Sequence, residues 1–414
     1  MNTSILSKIC KERLNKTAKD GRPYKIYGKD FLIPCEKSPL DTENTIITGW
    51  SGTGKTSVFT KPNISHDRNC NYVITIRDDE SQGIKNLLPA DFFVKEVCVT
   101  GENKECHFNP LLYLQSRNDV EEFVKSIVFT NHRDLYNGSY SKLEITYLTL
   151  LILIVRGLYA NPLGFSYPNE KYNMLSVVDL ADKPFEGLET LVNKVMDRFL
   201  DDRLAECWDV YTAKLKENFD TIADGQTHMN IVATVLLCNF AIPDNESFYS
   251  SDNLHLYDLF DFNRQAVVLD ISMYSPNSDM VFVLSVIRIL MKRLRFCQYT
   301  KFIFDDFQCF AGETYNIEDF FRPRSDCSMD TVIQSLGQLQ SDCPETWKTI
   351  LNETNIIHMG DELPRPDEEI IKISKIKDED KADLLKNIKI LSKNQEAILL
   401  KGYGTFITDK YRKR

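Results

Sequence analysis

The chain has no apolar run long enough to cross a membrane. Its most hydrophobic stretch, Leu148–Val155, stops at Arg156-Gly157. That is well short of the roughly 18 apolar residues a spanning helix needs, so a buried helix is expected there. No secretory leader is expected in residues 1–29, which are polar and lysine-rich, with no apolar centre. The expected location is the cytoplasm, with any attachment to the inner face of the cell membrane made through a partner. The 11 cysteines are scattered, odd in number and never spaced C-x-x-C. This excludes a zinc ribbon and a disulfide framework and suits reduced thiols serving as small apolar residues. There is no internal repeat and no low-complexity tract.

A net charge of −10 excludes indiscriminate coating of nucleic acid, while leaving room for a local basic surface or pore loop. Two segments are locally basic, residues 1–29 and Lys410–Arg414, each readable as a solvated arm. With 43% hydrophobic and 27% charged residues over 414 positions, the composition is that of a globular protein with room for two or three domains.

What is present is a complete phosphate-binding loop. Gly49-Trp50-Ser51-Gly52-Thr53-Gly54-Lys55-Thr56 matches G-x-x-x-x-G-K-[ST]. The β-branched run Thr45–Thr48 precedes it as a strand and a helix is expected to follow. Glycines permit the tight turn, and backbone N–H groups from Gly49 to Thr56 converge on an anion at the positive end of the helix. Lys55 is expected to meet the β- and γ-phosphates of ATP, and the Thr56 hydroxyl to hold Mg²⁺.

Such a loop needs a second, acidic strand. Lys301–Phe304 followed by Asp305-Asp306 supplies one. Asp305 is expected to orient the metal, and Asp306 to act as base or water-polariser. Gln334, at the end of the run Thr331–Ile333, is placed to contact the γ-phosphate or the attacking water. Arg322 and Arg324, in Phe-Phe-Arg-Pro-Arg-Ser, are candidates for an arginine finger reaching across a subunit boundary.

About 250 residues separate Lys55 from Asp305, far more than a βαβ unit requires. Strand patterns at Val73–Ile76 and Phe92–Val99 give way to helical ones from Ser116 to about Cys238, including Lys142–Leu158, Phe185–Leu200, Arg203–Asn218 and His228–Asn239. Strand and helix alternation then returns at Gln265–Ile271, Met280–Leu294 and Thr354–His358. A charge-rich stretch, Asp361–Asp383, and a closing hairpin or last strand, Ala397–Lys401 with Thr405–Thr408, follow. The expected organisation is a basic arm over 1–29, the first part of a nucleotide-binding domain over 30–115, an inserted all-α domain over 116–240, and the second part over 241–414.

In order along the chain, the loop with Thr60-Lys61-Pro62-Asn63-Ile64, then His107-Phe108-Asn109-Pro110-Leu111, Tyr140–Leu158, Ala266–Ile271, Phe302–Phe307, Gln334-Ser335-Leu336-Gly337-Gln338-Leu339, Asn352–Gly360 and Gln395–Tyr411 resemble the type IV secretion coupling proteins. These are the TraG/TraD-like ATPases of conjugative DNA transfer. The resemblance implies an α/β fold, a RecA-like P-loop NTPase core with a central sheet interrupted by an all-α domain, assembling as a homo-hexamer. It implies an ATPase, with ATP and Mg²⁺, that recruits relaxase-bound single-stranded DNA and drives it to a secretion channel. Lys55 and Thr56 carry over as the loop pair, Asp305 as the metal-side carboxylate, Gln334 as γ-phosphate sensor and Arg324 as finger. Three features depart from that family. Asp306 stands where a glutamate is usual, Ile76-Arg77-Asp78-Asp79-Glu80 keeps only the glutamate of an acidic-x-Lys-Gly-Glu segment, and no counterpart of the usual transmembrane helices is expected among these residues. Two alternatives share the nucleotide chemistry: a FtsK/HerA-like motor on double-stranded DNA, and a nucleotide-dependent adaptor with weak hydrolysis that binds relaxase or effector cargo.

Overall fold

The computed structural model describes residues 23–28, 31–35, 43–67, 69–77, 83–97, 106–131, 139–160, 170–199, 202–240, 242, 246–261, 264–271, 278–311, 314–360, 363–401 and 404–411. Residues 1–22, Asp78-Asp79-Glu80 and 412–414, all named above, lie outside them.

The strands are β1 (Tyr24–Gly28), β2 (Phe31–Pro34), β3 (Thr45–Thr48), β4 (Asn71–Arg77), β5 (Phe93–Val97), β6 (Gln265–Ile271), β7 (Thr300–Phe304), β8 (Cys327–Ile333), β9 (Asn355–His358), β10 (Gln395–Leu400) and β11 (Gly404–Asp409). Nine of them form one sheet in the order β11-β10-β9-β3-β8-β7-β4-β6-β5. It is parallel from β9 to β5, and the closing hairpin β10–β11 adds antiparallel to β9. Parallel strands covered on both faces read as unbroken apolar runs, as β6 and β7 do, every residue of each being buried. Alternation shows the two faces. On β4, Tyr72, Ile74 and Ile76 join one apolar cluster and Val73 the other.

Between β5 and β6 the chain leaves the sheet to form α2 (Arg117–Asn131), α3 (Ser139–Tyr159), α4 (Met174–Ala181), α5 (Phe185–Phe199), α6 (Asp202–Asn218) and α7 (Ile222–Asn239), after α1 (Lys61–His66) earlier in the core. The apolar helix α3 touches every other member of this group. Exit and return are stitched together: His107 N–H donates to Asn253 Oδ1 at 2.8 Å, and the Tyr113 hydroxyl to Asp252 Oδ2 at 2.7 Å. Asn109 of the Asn-Pro-Leu segment accepts from Leu111 N–H and donates to the Tyr172 carbonyl at 2.6 Å. That segment is therefore a structural joint. The group meets the core through α2 and α8 (Ser278–Arg293), where buried Arg288 bonds Glu122 at 3.1 Å and Asp319 at 3.0 Å.

Residues 24–28, read from sequence as part of a solvated arm, form a buried strand. Lys25 makes a 2.6 Å ion pair with Asp330, both fully buried. The Asn63 side chain accepts from Ile26 N–H at 2.8 Å and donates to its carbonyl at 3.0 Å, pairing with β1 much as another strand would. The charge-rich Asp361–Asp383 region carries α11 (Arg365–Ile373) and the start of α12 (Asp378–Lys389), following α9 (Leu336–Asp342) and α10 (Trp347–Asn352). The nine described cysteines are free thiols. Among the described residues no helix is long and apolar enough to cross a membrane.

Candidate nucleotide-binding site

The loop leaves β3 at Gly49, whose φ is 152° and where a Cβ would lie 2.2 Å from the Met359 carbonyl oxygen. No other residue fits that approach to β9. Gly52 and Gly54 also have positive φ, at 80° and 92°. The helix that follows begins as a π-turn, Lys55–Thr60, in which Lys61 N–H bonds Thr56 O, before tightening into α1. Pro62 explains the wide turn: it has no N–H for an i−4 carbonyl, and a π-register relieves the clash its ring would make.

Strand order brings the second half of the site to the loop. β8 lies between β3 and β7, so Gln334 emerges between Lys55 and Asp305. These residues line a cleft of about 370 Å³ together with Ser51, Gly52, Gly54, Thr56, Asp306 and Arg77. Thr56 Oγ1 donates to Asp305 Oδ2 at 2.8 Å. Asp305 is held in turn by its N–H on the Thr75 carbonyl, 3.1 Å, and by the Thr75 hydroxyl on its own carbonyl, 3.1 Å. Lys55 Nζ donates to the Gly49 carbonyl and, at 3.1 Å, to that of Trp50. Burial pulls its pKa below the ordinary lysine value, against the attraction of Asp305 and Asp306. Asp306 sits in the left-handed region, φ 49°, with Arg77 Nε 4.0 Å from its carboxylate.

Trp50 is half exposed on the loop, and Thr53 bonds the Trp50 carbonyl through its hydroxyl at 2.8 Å. Arg324 is not brought to the cleft. Its guanidinium is occupied by Asp326 (2.8 and 2.7 Å) and the carbonyls of Met291 (2.6 Å) and Leu294 (3.1 Å). Arg322 is 72% exposed and bonds Asp319 at 2.8 Å. Sequence reasoning missed Arg77 as a cleft residue. Its position at the end of β4, parallel and adjacent to β7, is the signal that would have found it.

One buried acid stands close by. Burial pushes the Glu396 carboxyl on β10 up to about 8, against the pull of Lys410. The folded chain thus holds a proton there that the unfolded chain releases near 4.5, so this contribution to stability is complete at acid pH and is lost as pH rises toward 8. The melting temperature is expected to fall between about pH 5 and pH 8. Glu396→Gln is expected to flatten that slope, as thermal melts across the range would read out. An unchanged slope in the variant would refute the assignment.

The chain is similar in fold to the plasmid coupling protein TrwB in complex with a non-hydrolysable ATP analogue, at TM-score 0.61 and 11% identity over 100% of this chain and 93% of that one. The same protein with ADP and Mg²⁺ gives TM-score 0.61, 12% identity and the same coverage. VirB4 of Thermoanaerobacter pseudethanolicus is similar at TM-score 0.56 and 13% identity, over 89% of each chain. No family model matches the chain, and no curated protein is similar to it in sequence. The protein has the fold of the type IV secretion coupling ATPases, a RecA-like P-loop core with a mostly parallel nine-stranded sheet.

Proposed function

We propose, from the coupling-ATPase fold as premise, that this protein hydrolyses ATP to move DNA for a conjugative or mobilisable element, recruiting relaxase-bound single strands and driving them toward a type IV secretion channel as a homo-hexamer. The observation that carries the reading is the Thr56–Asp305 hydrogen bond, which joins loop and acidic strand with Gln334 on the strand between. Its hydroxyl and carboxylate are the hard oxygen donors that suit Mg²⁺, an ion that takes few protein ligands and completes its shell with phosphate and water. When bound, the ion would offset charge on the phosphate oxygens.

Within this reading, the N–H groups of Gly49–Thr56 bind the phosphates and Lys55 offsets their charge. Asp306 accepts the proton of the attacking water, and Gln334 orients that water against the γ-phosphate. Arg77, already beside Asp306, adds a cation in cis. Arg322 replaces Arg324 as the finger, since Arg324 has its donors committed and Arg322 is open to a neighbour.

Steady-state hydrolysis measured with and without DNA tests the proposal. Single-stranded oligonucleotides are expected to raise turnover several-fold over duplex of the same length. Stimulation by duplex alone would favour the double-strand motor. Tight ATP binding with negligible turnover would favour the adaptor, for which the shorter Asp306 is the supporting feature. Either result would end the single-strand proposal.

A further inference from the structure

The residue after β11 reaches back to the phosphate-binding loop. Lys410 lies 357 positions beyond Thr53, yet its Nζ donates to the Thr53 carbonyl at 3.0 Å and to the Lys393 carbonyl at 3.1 Å. Its backbone N–H bonds the Asn394 carbonyl at 2.8 Å, so both ends of the side chain are fixed. The residue is only 7% exposed. Neighbouring Tyr411 meets the end of α1, its hydroxyl 2.9 Å from His66 Nε2. Withdrawing an ammonium from water is costly unless its hydrogen bonds are replaced. Here carbonyl oxygens replace them, one of which belongs to the loop.

The Thr53 carbonyl and the Gly54 N–H share one planar peptide and point in opposite directions. A cation fixed on the carbonyl side therefore sets where the Gly54 N–H points. The loop needs such a fixture, because the two glycines flanking Thr53 leave its peptides the freest in the segment, and both sit at positive φ. Gly54 itself lines the cleft.

We propose that Lys410 is a positioning residue for phosphate binding: it holds the Thr53–Gly54 peptide so that the Gly54 N–H faces the phosphates. This rests on the nucleotide-binding reading above and extends it to a residue outside the motif. Because the phosphates alone are affected, the defect must appear with inorganic pyrophosphate as well as with nucleotide.

The test is calorimetric titration of the full chain and its variants with pyrophosphate and with ADP–Mg²⁺, below the melting transition of each. Lys410→Met is expected to weaken both ligands about tenfold, Lys410→Arg to recover most of the loss, and Tyr411→Phe to leave both within twofold of the parent. A folded Lys410→Met that binds both ligands as the parent does overturns the proposal, as does equal weakening in Lys410→Arg. Should Lys410→Met fail to fold, Lys410→Gln is held to the same thresholds. A parent chain that binds neither ligand overturns the nucleotide reading itself, which separates the two failures.

Discussion

Lys55→Ala is expected to lower ATP hydrolysis roughly 10³-fold, below detection in a steady-state assay. Phosphoryl transfer gives a protein little covalent chemistry to do; its work is to position the phosphates and offset their charge. In this cleft Lys55 is the loop's cation, held in place by the Gly49 and Trp50 carbonyls. Its partial burial makes the charge count for more than it would in water. Fold stability is expected to change little, by roughly 2 °C or less in melting temperature, because Trp50 is half exposed and water can reach its freed carbonyl. Turnover within tenfold of the parent, in a variant that melts normally, would place the chemistry elsewhere.

The largest stability effect is expected at Lys301, near the start of β7, the strand whose far end leads to Asp305 in the cleft. Its Nζ lies 2.7 Å from Asp67 Oδ2, with both side chains essentially without exposure, and it also donates to the Tyr24 carbonyl. Burial opposes the charge, yet Asp67 holds the Lys301 pKa above its ordinary value. Asp67 in turn accepts the N–H groups of Tyr24 at 2.9 Å and Asn69 at 3.0 Å. Removing one partner of such a pair leaves an uncompensated buried charge, so Lys301→Met is expected to cost about 3–5 kcal/mol. That corresponds to a fall of roughly 3–6 °C in melting temperature for a chain of this length. Adding Asp67→Asn to Lys301→Met removes the stranded charge and is expected to restore part of the loss. A single variant that melts with the parent, or a double variant worse than the sum of its parts, would contradict this account.

Much of the core was legible because short-range rules govern it. Gly49, Gly54, Lys55 and Thr56 form a local motif, and the β-branched runs at β3, β4 and β7 announce strands wherever they fall. The closing hairpin was readable from its two short runs, Ala397–Lys401 and Thr405–Thr408. What escaped notice depends on partners far away in sequence. Lys25 reads as part of a solvated arm until Asp330 is set against it, and nothing local pairs Lys301 with Asp67. The start of α7 was hidden by Asp224-Gly225, a turn signal. There the glycine serves close packing instead, since a Cβ would lie 2.8 Å from the Phe219 ring. Arg324 was chosen by its spacing from Gln334, which says nothing of the carbonyls that claim its guanidinium.

The strand between the two halves of the site has a mechanical consequence. β8 spans seven residues, all buried, or about 23 Å at 3.3 Å per residue. Ladders to β3 and β7 clamp it on both sides, so it behaves as a stiff rod in a tight sleeve. A small push on Gln334 at one tip is not absorbed along the way, because close-packed interiors transmit strain. It arrives at Cys327, next to the grip of Arg324 on Asp326, Met291 and Leu294. Arg324 thus sits, within its own chain, at the far mounting of the rod whose near end carries Gln334 into the cleft.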